Sequence, residues 1–235
     1  MKTRQYGLTM VELMVSLALS LFLILVAAQF FIANKSTYRT QQAQADVQER
    51  GRFAMSWLGQ QIRQAGYVAN SQIASSFATL YPAVNASGSA VAMGVSQLFA
   101  GSSSTLQLRV RGADDSNIVD CQGRGMGVAS AVTHVINRNG NSLACDGNEV
   151  VPGVTQLVFE YGEDVSGDRI PDRYVATAPA SAVYAIRVCM VVESLENNVA
   201  PSAVGFTDCG NTASSTSNNR IAKVFRTSVY VRNAP

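Results

Sequence analysis

One carboxylate lies inside an apolar stretch that is long enough to cross a membrane. From Leu8 to Ala33 the only ionisable side chain is Glu12, and the other polar residues are Thr, Ser and Gln. As a helix rising about 1.5 Å per residue, this stretch would be roughly 39 Å long, more than the ~30 Å hydrocarbon core of a bilayer. A charge in such a segment costs roughly 2.5 kcal/mol or more. Glu12 therefore needs a partner or a function.

A short basic leader precedes the apolar stretch. Lys2 and Arg4 are its charged residues, and it contains no acid. Because positive charge beside a membrane helix stays on the cytoplasmic side, Met1 is predicted to lie in the cytoplasm and the bulk of the chain outside. A cleaved secretory signal is the alternative, since residues 26–28 are small enough to precede a cut. The length of the apolar stretch and its early acid both argue against that alternative.

Cleavage after Gly7 would supply the partner that Glu12 needs. The new amine on Leu8 would stand four residues before Glu12, on the same face of a helix. Within one chain or between neighbouring chains, the amine and the carboxylate would neutralise each other in lipid. The spacing therefore predicts a processed N-terminus.

The sequence GLTMVEL at 7–13 resembles the class III leader of type IV prepilins. The resemblance implies that a prepilin peptidase cuts between Gly7 and Leu8 and methylates the Leu8 amine. It also implies that Glu12 directs the docking of subunits during assembly. Leu8 differs from the phenylalanine most common at that position, and Gln29 stands near where the family usually has a helix-kinking proline. The missing proline favours a minor pilin over the major fibre-forming subunit.

The helical pattern continues beyond the membrane segment without a proline as far as Gly66, which is well placed as a C-terminal cap. A continuous helix from Leu8 to Ala65 would be about 87 Å long. Gly51 and Gly59 weaken it locally, so a bend is allowed. Helically spaced apolar residues predict one buried face, packed against a sheet or, alternatively, against another helix. These residues are Val47, Ala54, Leu58, Ile62 and Ala65, flanked by Phe53 and Trp57.

Strand-like patterns dominate the second half of the chain. Residues 67–104 read as a long loop with at most a short helix. The segment at 105–112 alternates, with Leu106, Leu108 and Val110 on one face and Gln107, Arg109 and Arg111 on the other. Asn139-Gly140 predicts the turn of a hairpin within 131–145. Further strands are predicted at 155–162, 173–178, 183–194 and 224–233.

This order of elements predicts an α+β fold, in which a long N-terminal helix packs on an antiparallel β-sheet domain. The helix has a transmembrane half and an amphipathic half. The predicted divisions are a leader at 1–7, the helix at 8–66 with its transmembrane part at 8–33, and a periplasmic or extracellular globular domain at 67–235.

Four segments extend the family resemblance beyond the leader: 48–67, 154–164, 185–194 and 223–233. They resemble the PilW-type minor pilins of type IV pilus systems, which are similar in role to the J-type pseudopilins of type II secretion. The resemblance implies a pilin-like fold and a tip-located subunit that joins other minor pilins to prime pilus assembly. Twitching motility, adhesion and DNA uptake would depend on it indirectly.

The resemblance also implies partners and locations. The partners are the other minor pilins, the major pilin, the prepilin peptidase, the inner-membrane assembly platform and the membrane itself. Before assembly, the chain would cross the inner membrane once with its C-terminal domain in the periplasm. After assembly, it would belong to a pilus at the cell surface.

Two other functions remain open. The chain would equally suit a minor pseudopilin of a type II secretion system, or a tip-displayed module that binds surfaces or DNA through loops 67–104 or 196–220. The formal net charge of +2 comes from Lys2 and Arg4, so the mature chain is formally neutral and net charge predicts no strong attraction to nucleic acid. No catalytic residues are assigned, because His134 is the single histidine and no GxSxG or GxxxxGK[ST] motif occurs.

The four cysteines lie in the predicted exported domain, where disulfides are the default. Four cysteines allow three pairings, and the sequence alone cannot choose among them. Short intervening loops favour Cys121 with Cys145 and Cys189 with Cys209, each worth roughly 3 kcal/mol by the chain-entropy model. A zinc site is not favoured, since no CxxC spacing occurs and His134 lies in a strand-like run. His134 is interpreted as a structural or surface residue.

One segment has the character of a calcium loop. Oxygen ligands would come from the side chains of Asp164, Ser166, Asp168 and Asp172 and from the carbonyl of Ile170. The early glycine and the missing terminal glutamate separate it from a standard EF-hand. The alternative is a polar turn between two strands, in which these side chains cap backbone groups. Calcium is the one cofactor that the sequence suggests.

Overall fold

A single long helix, α1 (Met10–Gln64), opens the computed structural model, which describes residues 9–88, 90–113, 117–128 and 131–234. Its 55 residues contain no proline, and it runs without a break. Thr9 caps its first turn, and Ala65 caps its end. Gly66 follows with φ of +73°, and its N–H donates to the carbonyl of Arg109 at 3.1 Å, so the end of the helix is hydrogen-bonded to the first sheet.

The two halves of α1 have different surroundings. The large apolar side chains from Met10 to Ile32 are at least half exposed. In the described chain, hydrogen bonds between α1 and the domain begin with Arg39 to Glu196 and Thr40 to the carbonyl of Val199. The predicted buried face is confirmed, and it packs on a sheet. Its five residues are each at most 1% exposed: Val47, Ala54, Leu58, Ile62 and Ala65.

Gly51 is a contact point between the helix and the four-stranded sheet. A Cβ at Gly51 would lie 2.1 Å from ring atoms of Phe225, which is far closer than two carbons can approach. The glycine therefore lets the ring lie against the helix backbone. At Gly59 the nearest atom to a Cβ would be the flexible end of Arg63, at 3.0 Å.

The remainder of the domain consists of short helical turns and eleven strands in the described chain. A 3-10 turn at Asn70–Gln72 and the helix α2 (Phe77–Leu80) precede the first strand. The strands are β1 (Phe99–Ser102), β2 (Thr105–Val110), β3 (Val132–Asn139), β4 (Ser142–Cys145), β5 (Asn148–Pro152), β6 (Val154–Glu163), β7 (Arg173–Val175), β8 (Val183–Glu193), β9 (Gly205–Thr207), β10 (Ala213–Ser215) and β11 (Ala222–Tyr230).

These strands form two antiparallel sheets and a ribbon. The first sheet has the order β1-β2-β3-β4-β5, in which each strand pairs with the next along the chain. The second sheet has the order β11-β8-β6-β7, and α1 packs mainly on β11 and β8. β9 and β10 form a separate two-stranded ribbon. One continuous core lies between α1 and the two sheets, so the predicted α+β fold with a helix on an antiparallel sheet is confirmed.

The second face of β2 is buried, contrary to the alternation predicted from the sequence. Gln107 and Arg109 are each 1% exposed, because the segment before β1 folds over this face. The Arg109 guanidinium donates to the carbonyl of Gln97 at 3.4 Å and lies 5.3 Å from the ring centre of Tyr81. Arg111 donates to the carbonyl of Leu80 at 3.0 Å. The predicted loop at 67–104 is thus a cover for the first sheet and contributes β1 to it.

Candidate functional site

Glu12 lies in the first turn of α1, where it forms a capping box with Thr9. The Thr9 N–H and hydroxyl both lie 3.4 Å from Glu12 Oε2, and the Glu12 N–H donates to Thr9 Oγ1 at 3.3 Å. A carboxylate is also favoured here by the partial positive charge of a helix N-terminus. The sequence predicted an amine partner on Leu8. Gly7 and Leu8 lie outside the described residues, so cleavage and methylation at that bond remain predictions.

Two serines of the apolar half donate hydrogen bonds to backbone carbonyls of the same helix. The Ser16 hydroxyl donates to the carbonyl of Leu13 at 2.9 Å, and the Ser20 hydroxyl donates to that of Ser16 at 2.6 Å. Such internal bonds are what a helix in hydrocarbon requires. By length and composition, α1 is able to cross a membrane, and its most apolar window is not buried against the domain. This half of the helix is therefore suited to lipid or to neighbouring apolar helices.

Two disulfides fasten loops to the sheets, with the pairing that short loops favoured. Cys121 and Cys145 join the loop at 117–128 to β4, and their Cα atoms are 6.1 Å apart. Cys189 on β8 joins Cys209, which follows β9, with the Cα atoms 5.7 Å apart. Both bonds thus hold segments that have little secondary structure of their own.

His134 and Asp146 lie against the Cys121–Cys145 disulfide. The Nδ1 of His134 is 2.7 Å from Asp146 Oδ2 and 3.2 Å from Cys121 Sγ. Asp146 Oδ1 accepts the N–H of Val135 at 2.8 Å. Burial raises the pKa of Asp146, but the bonds from His134 and from the Val135 amide lower that pKa more, so it lies below its usual range.

The cluster of Cys121, His134, Cys145 and Asp146 was not apparent from the sequence. One ligand atom from each of the four residues lies within 4.8 Å of the others. His134 is only 5% exposed, which supports the structural interpretation of this residue rather than a surface one. The sequence does not indicate this cluster, because the spacings of 13, 11 and 1 residues between its members match no metal-binding motif. β3 and β4 bring the residues together through antiparallel pairing.

In the predicted calcium loop, the carboxylates cap backbone amides. Asp164 accepts the N–H groups of Gly167 at 2.6 Å and Arg169 at 2.7 Å. Asp172 Oδ2 accepts those of Val165 at 2.7 Å and Ser166 at 2.8 Å. Asp168 Oδ1 accepts the N–H of Ile170 at 2.8 Å, and the Ser166 hydroxyl donates to Asp164 at 3.1 Å.

These hydrogen bonds lower the pKa values of two carboxyl groups in the loop, those of Asp164 and Asp172. The backbone amides of Ser166 and Val165 hold the pKa of Asp172 below its usual range. Desolvation raises the pKa of Asp164, but four hydrogen bonds from within the loop lower it more. The arrangement favours a polar turn between β6 and β7. Calcium binding by this turn stays a prediction.

The comparisons with known proteins identify two segments of the chain. Residues 2–28 match the prokaryotic N-terminal methylation motif, and residues 124–233 match the family described as type IV pilus-assembly protein W, or PilW. The second match covers β3 to β11 and hence the whole four-stranded sheet. No curated protein matches the chain.

Among solved structures, the chain is similar to a type IV-like pilin from Thermus thermophilus. The two chains are 15% identical, the TM-score is 0.47, and the match covers 81% of this chain and 98% of the other.

Proposed function

We propose, from the premise that this chain is a type IV pilin of the PilW family, that it is a minor pilin that helps to initiate pilus assembly and lies at or near the pilus tip. The observation that carries this proposal is the capped carboxylate Glu12 at the start of a helix whose apolar half is exposed and does not pack on the domain. A helix of this kind is suited to insertion in a membrane before assembly and to packing against other helices after it. Twitching motility, adhesion and DNA uptake would follow from the assembled pilus.

Processing would change the partner of Glu12. Cleavage between Gly7 and Leu8 would leave Thr9 in place, so the capping box would survive the cut. Both Thr9 contacts with the carboxylate are long, at 3.4 Å. A charged amine makes a shorter and stronger bond to a carboxylate than a neutral hydroxyl or amide does. The methylated amine of a neighbouring subunit would therefore displace the Thr9 contacts when subunits dock.

Before assembly, the apolar half of α1 would lie in the inner membrane with the domain in the periplasm. The partners would be the prepilin peptidase, the assembly platform, the major pilin and other minor pilins. The outward face of α1 beyond the membrane is mainly polar but includes Phe53, which is 55% exposed. That side chain offers an apolar contact for a neighbouring helix. We infer a structural role without catalysis, since pilins are structural subunits.

The test substitutes Glu12 and measures the amount of this subunit in sheared pili. Glu12→Ala should still insert into the membrane and be cleaved, but it should be absent from pili. Glu12→Gln keeps an acceptor for the capping box but loses the charge, and the same loss from pili is expected. Thr9→Ala is the matched control, because it removes the cap and keeps the charge. Normal incorporation of both Glu12 variants would disprove the docking role.

Two alternative functions, a pseudopilin of type II secretion and a tip-displayed binding module, can each be distinguished from the proposed one by a separate observation. Neighbouring genes distinguish a pilus subunit from a minor pseudopilin of type II secretion, since the two systems have different companions. A tip-displayed binding module would depend on an exposed segment, and the β9–β10 ribbon within 196–220 is the best placed, with Gly205 and Ala213 both exposed. Substitutions there should spare pili and reduce adhesion or DNA uptake if the ribbon binds a surface or DNA.

A further inference from the structure

The cluster around the Cys121–Cys145 disulfide contains four groups of the kind that bind zinc. Thiolates, an imidazole and a carboxylate are all common zinc ligands in proteins, and four of them in tetrahedral arrangement make a complete structural site. Here two sulfurs, one imidazole nitrogen and one carboxylate oxygen lie within 4.8 Å of one another. These residues are not used in the proposed docking of subunits, so the cluster is a separate feature of the domain.

The distances in the cluster are close to those of a metal site. Cys121 Sγ lies 3.2 Å from His134 Nδ1 and 3.4 Å from Asp146 Oδ2, and the latter two atoms are 2.7 Å apart. Around zinc, bonds of about 2.0–2.3 Å place neighbouring ligand atoms roughly 3.3–3.8 Å apart. Small outward movements of the side chains would therefore admit the ion. The larger change is at the sulfurs, which must cease to be bonded to each other.

The backbone already holds the ligands in position. Asp146 and Gly147 have φ of +50° and +80°, and they form the turn between β4 and β5. This turn brings the Asp146 carboxylate back over β3, where the Val135 N–H fixes Oδ1 at 2.8 Å and leaves Oδ2 to face His134. Support of a carboxylate ligand by a backbone hydrogen bond is typical of metal sites.

We propose that, when the Cys121–Cys145 disulfide is reduced, these four residues bind one Zn²⁺ ion. In the reduction, a dithiol is oxidised to its disulfide, and the Cys121–Cys145 bond accepts two electrons and two protons to give two thiols. Zn²⁺ then displaces both thiol protons into solvent. The imidazole proton moves to Nε2, so that the Nδ1 lone pair binds the metal, and Asp146 binds through Oδ2.

The disulfide and the zinc ion are mutually exclusive states of the same sulfurs. Oxidation of the two thiolates by a disulfide-forming partner would reverse the sequence and release Zn²⁺. In both states the loop at 117–128 is attached to the β3–β4 hairpin, by a covalent bond in one and by a metal in the other. Zinc would thus hold this loop in a chain that has not yet been oxidised, and would keep the two thiols from pairing with other cysteines.

The experiment uses Co²⁺ as the probe, because thiolate and tetrahedral coordination give it visible and near-ultraviolet bands that Zn²⁺ lacks. The full chain carrying Cys189→Ser and Cys209→Ser is purified in detergent, reduced with a dithiol and freed of it without air. This background retains only the cysteines of the cluster. We expect one Co²⁺ per chain with thiolate charge-transfer bands, and we expect Zn²⁺ to remove those bands. The same protein before reduction should show none.

Two variants in that background test the individual ligands. Asp146→Asn and His134→Asn should each weaken Co²⁺ binding at least tenfold and change the visible bands, as the loss of a direct ligand requires. A melting curve of each oxidised variant checks that the fold persists. The proposal is wrong if the reduced protein without substitutions in the cluster takes up no Co²⁺, or if both variants bind it with unchanged affinity and bands.

Discussion

At the scale of single residues, Gly51 sets how closely α1 approaches the four-stranded sheet. A methyl group there would overlap the ring of Phe225 at 2.1 Å. Gly51→Ala is therefore expected to lower the free energy of unfolding by about 1–3 kcal/mol, as overpacking of a core does. Chemical denaturation of the full chain in detergent measures the change.

Gly59 provides the matched control on the same helix. The three atoms nearest to a methyl group at Gly59 would all belong to the flexible end of Arg63, the nearest at 3.0 Å. Gly59→Ala should therefore be neutral or stabilise by up to about 1 kcal/mol, since alanine is the better helix former. Equal effects of the two substitutions would contradict the contact with Phe225. From the sequence, both glycines were interpreted alike as weak points in the helix, because the ring that distinguishes them is 174 residues away along the chain.

At the scale of elements, the turn between β6 and β7 is held by its own hydrogen bonds, without calcium. Its carboxylates already accept five backbone N–H groups, from Val165, Ser166, Gly167, Arg169 and Ile170. We therefore expect millimolar calcium to leave the melting temperature of the chain unchanged. Asp172→Asn in the same buffer is the control. A rise in melting temperature with calcium that is absent from the Asp172→Asn variant would establish a calcium site instead.

Local patterns predicted some elements well and failed where a distant segment decides the environment. The β3–β4 hairpin was predicted from Asn139-Gly140, but its two turn residues are Gly140 and Asn141, because Asn139 ends β3 and pairs with Ser142. The strands β6 and β8 follow from their apolar runs. Arg109 was expected on the polar face of its strand, but the segment at 67–98 buries it beneath Tyr81. β1 contains Gly101 and only four residues, too few for a period to be seen. The cluster at His134 depends on strand register, which the sequence does not reveal.

At the scale of the whole molecule, the helix and the domain meet only beyond the predicted membrane segment. In the described chain, hydrogen bonds between them begin at Arg39. A chain lacking residues 1–34 is therefore expected to fold and to remain soluble without detergent. If the minor-pilin proposal holds, this fragment should co-purify with other minor pilins encoded beside it.

The controls for this fragment concern its fold and its specificity. Its melting temperature should equal that of the domain in the full chain, because no described bond to the domain is lost. Removal of residues 1–44 is the comparison, since it deletes the bonds of Arg39 and Thr40 and should lower the melting temperature. A folded fragment that binds none of the other minor pilins would count against a priming complex.

The long attachment between α1 and the domain has a mechanical consequence. Bonds from the domain reach the helix from Arg39 to Ala65, a distance of about 39 Å along its axis. A force that pulls on the membrane end acts parallel to this interface, so the load is shared in shear among all the contacts rather than peeling them apart singly. The ring of Phe225, seated at Gly51, resists sliding along the same direction. If assembly draws the helix out of a bilayer, as the proposed function requires, the domain would therefore move with the helix and keep its contacts.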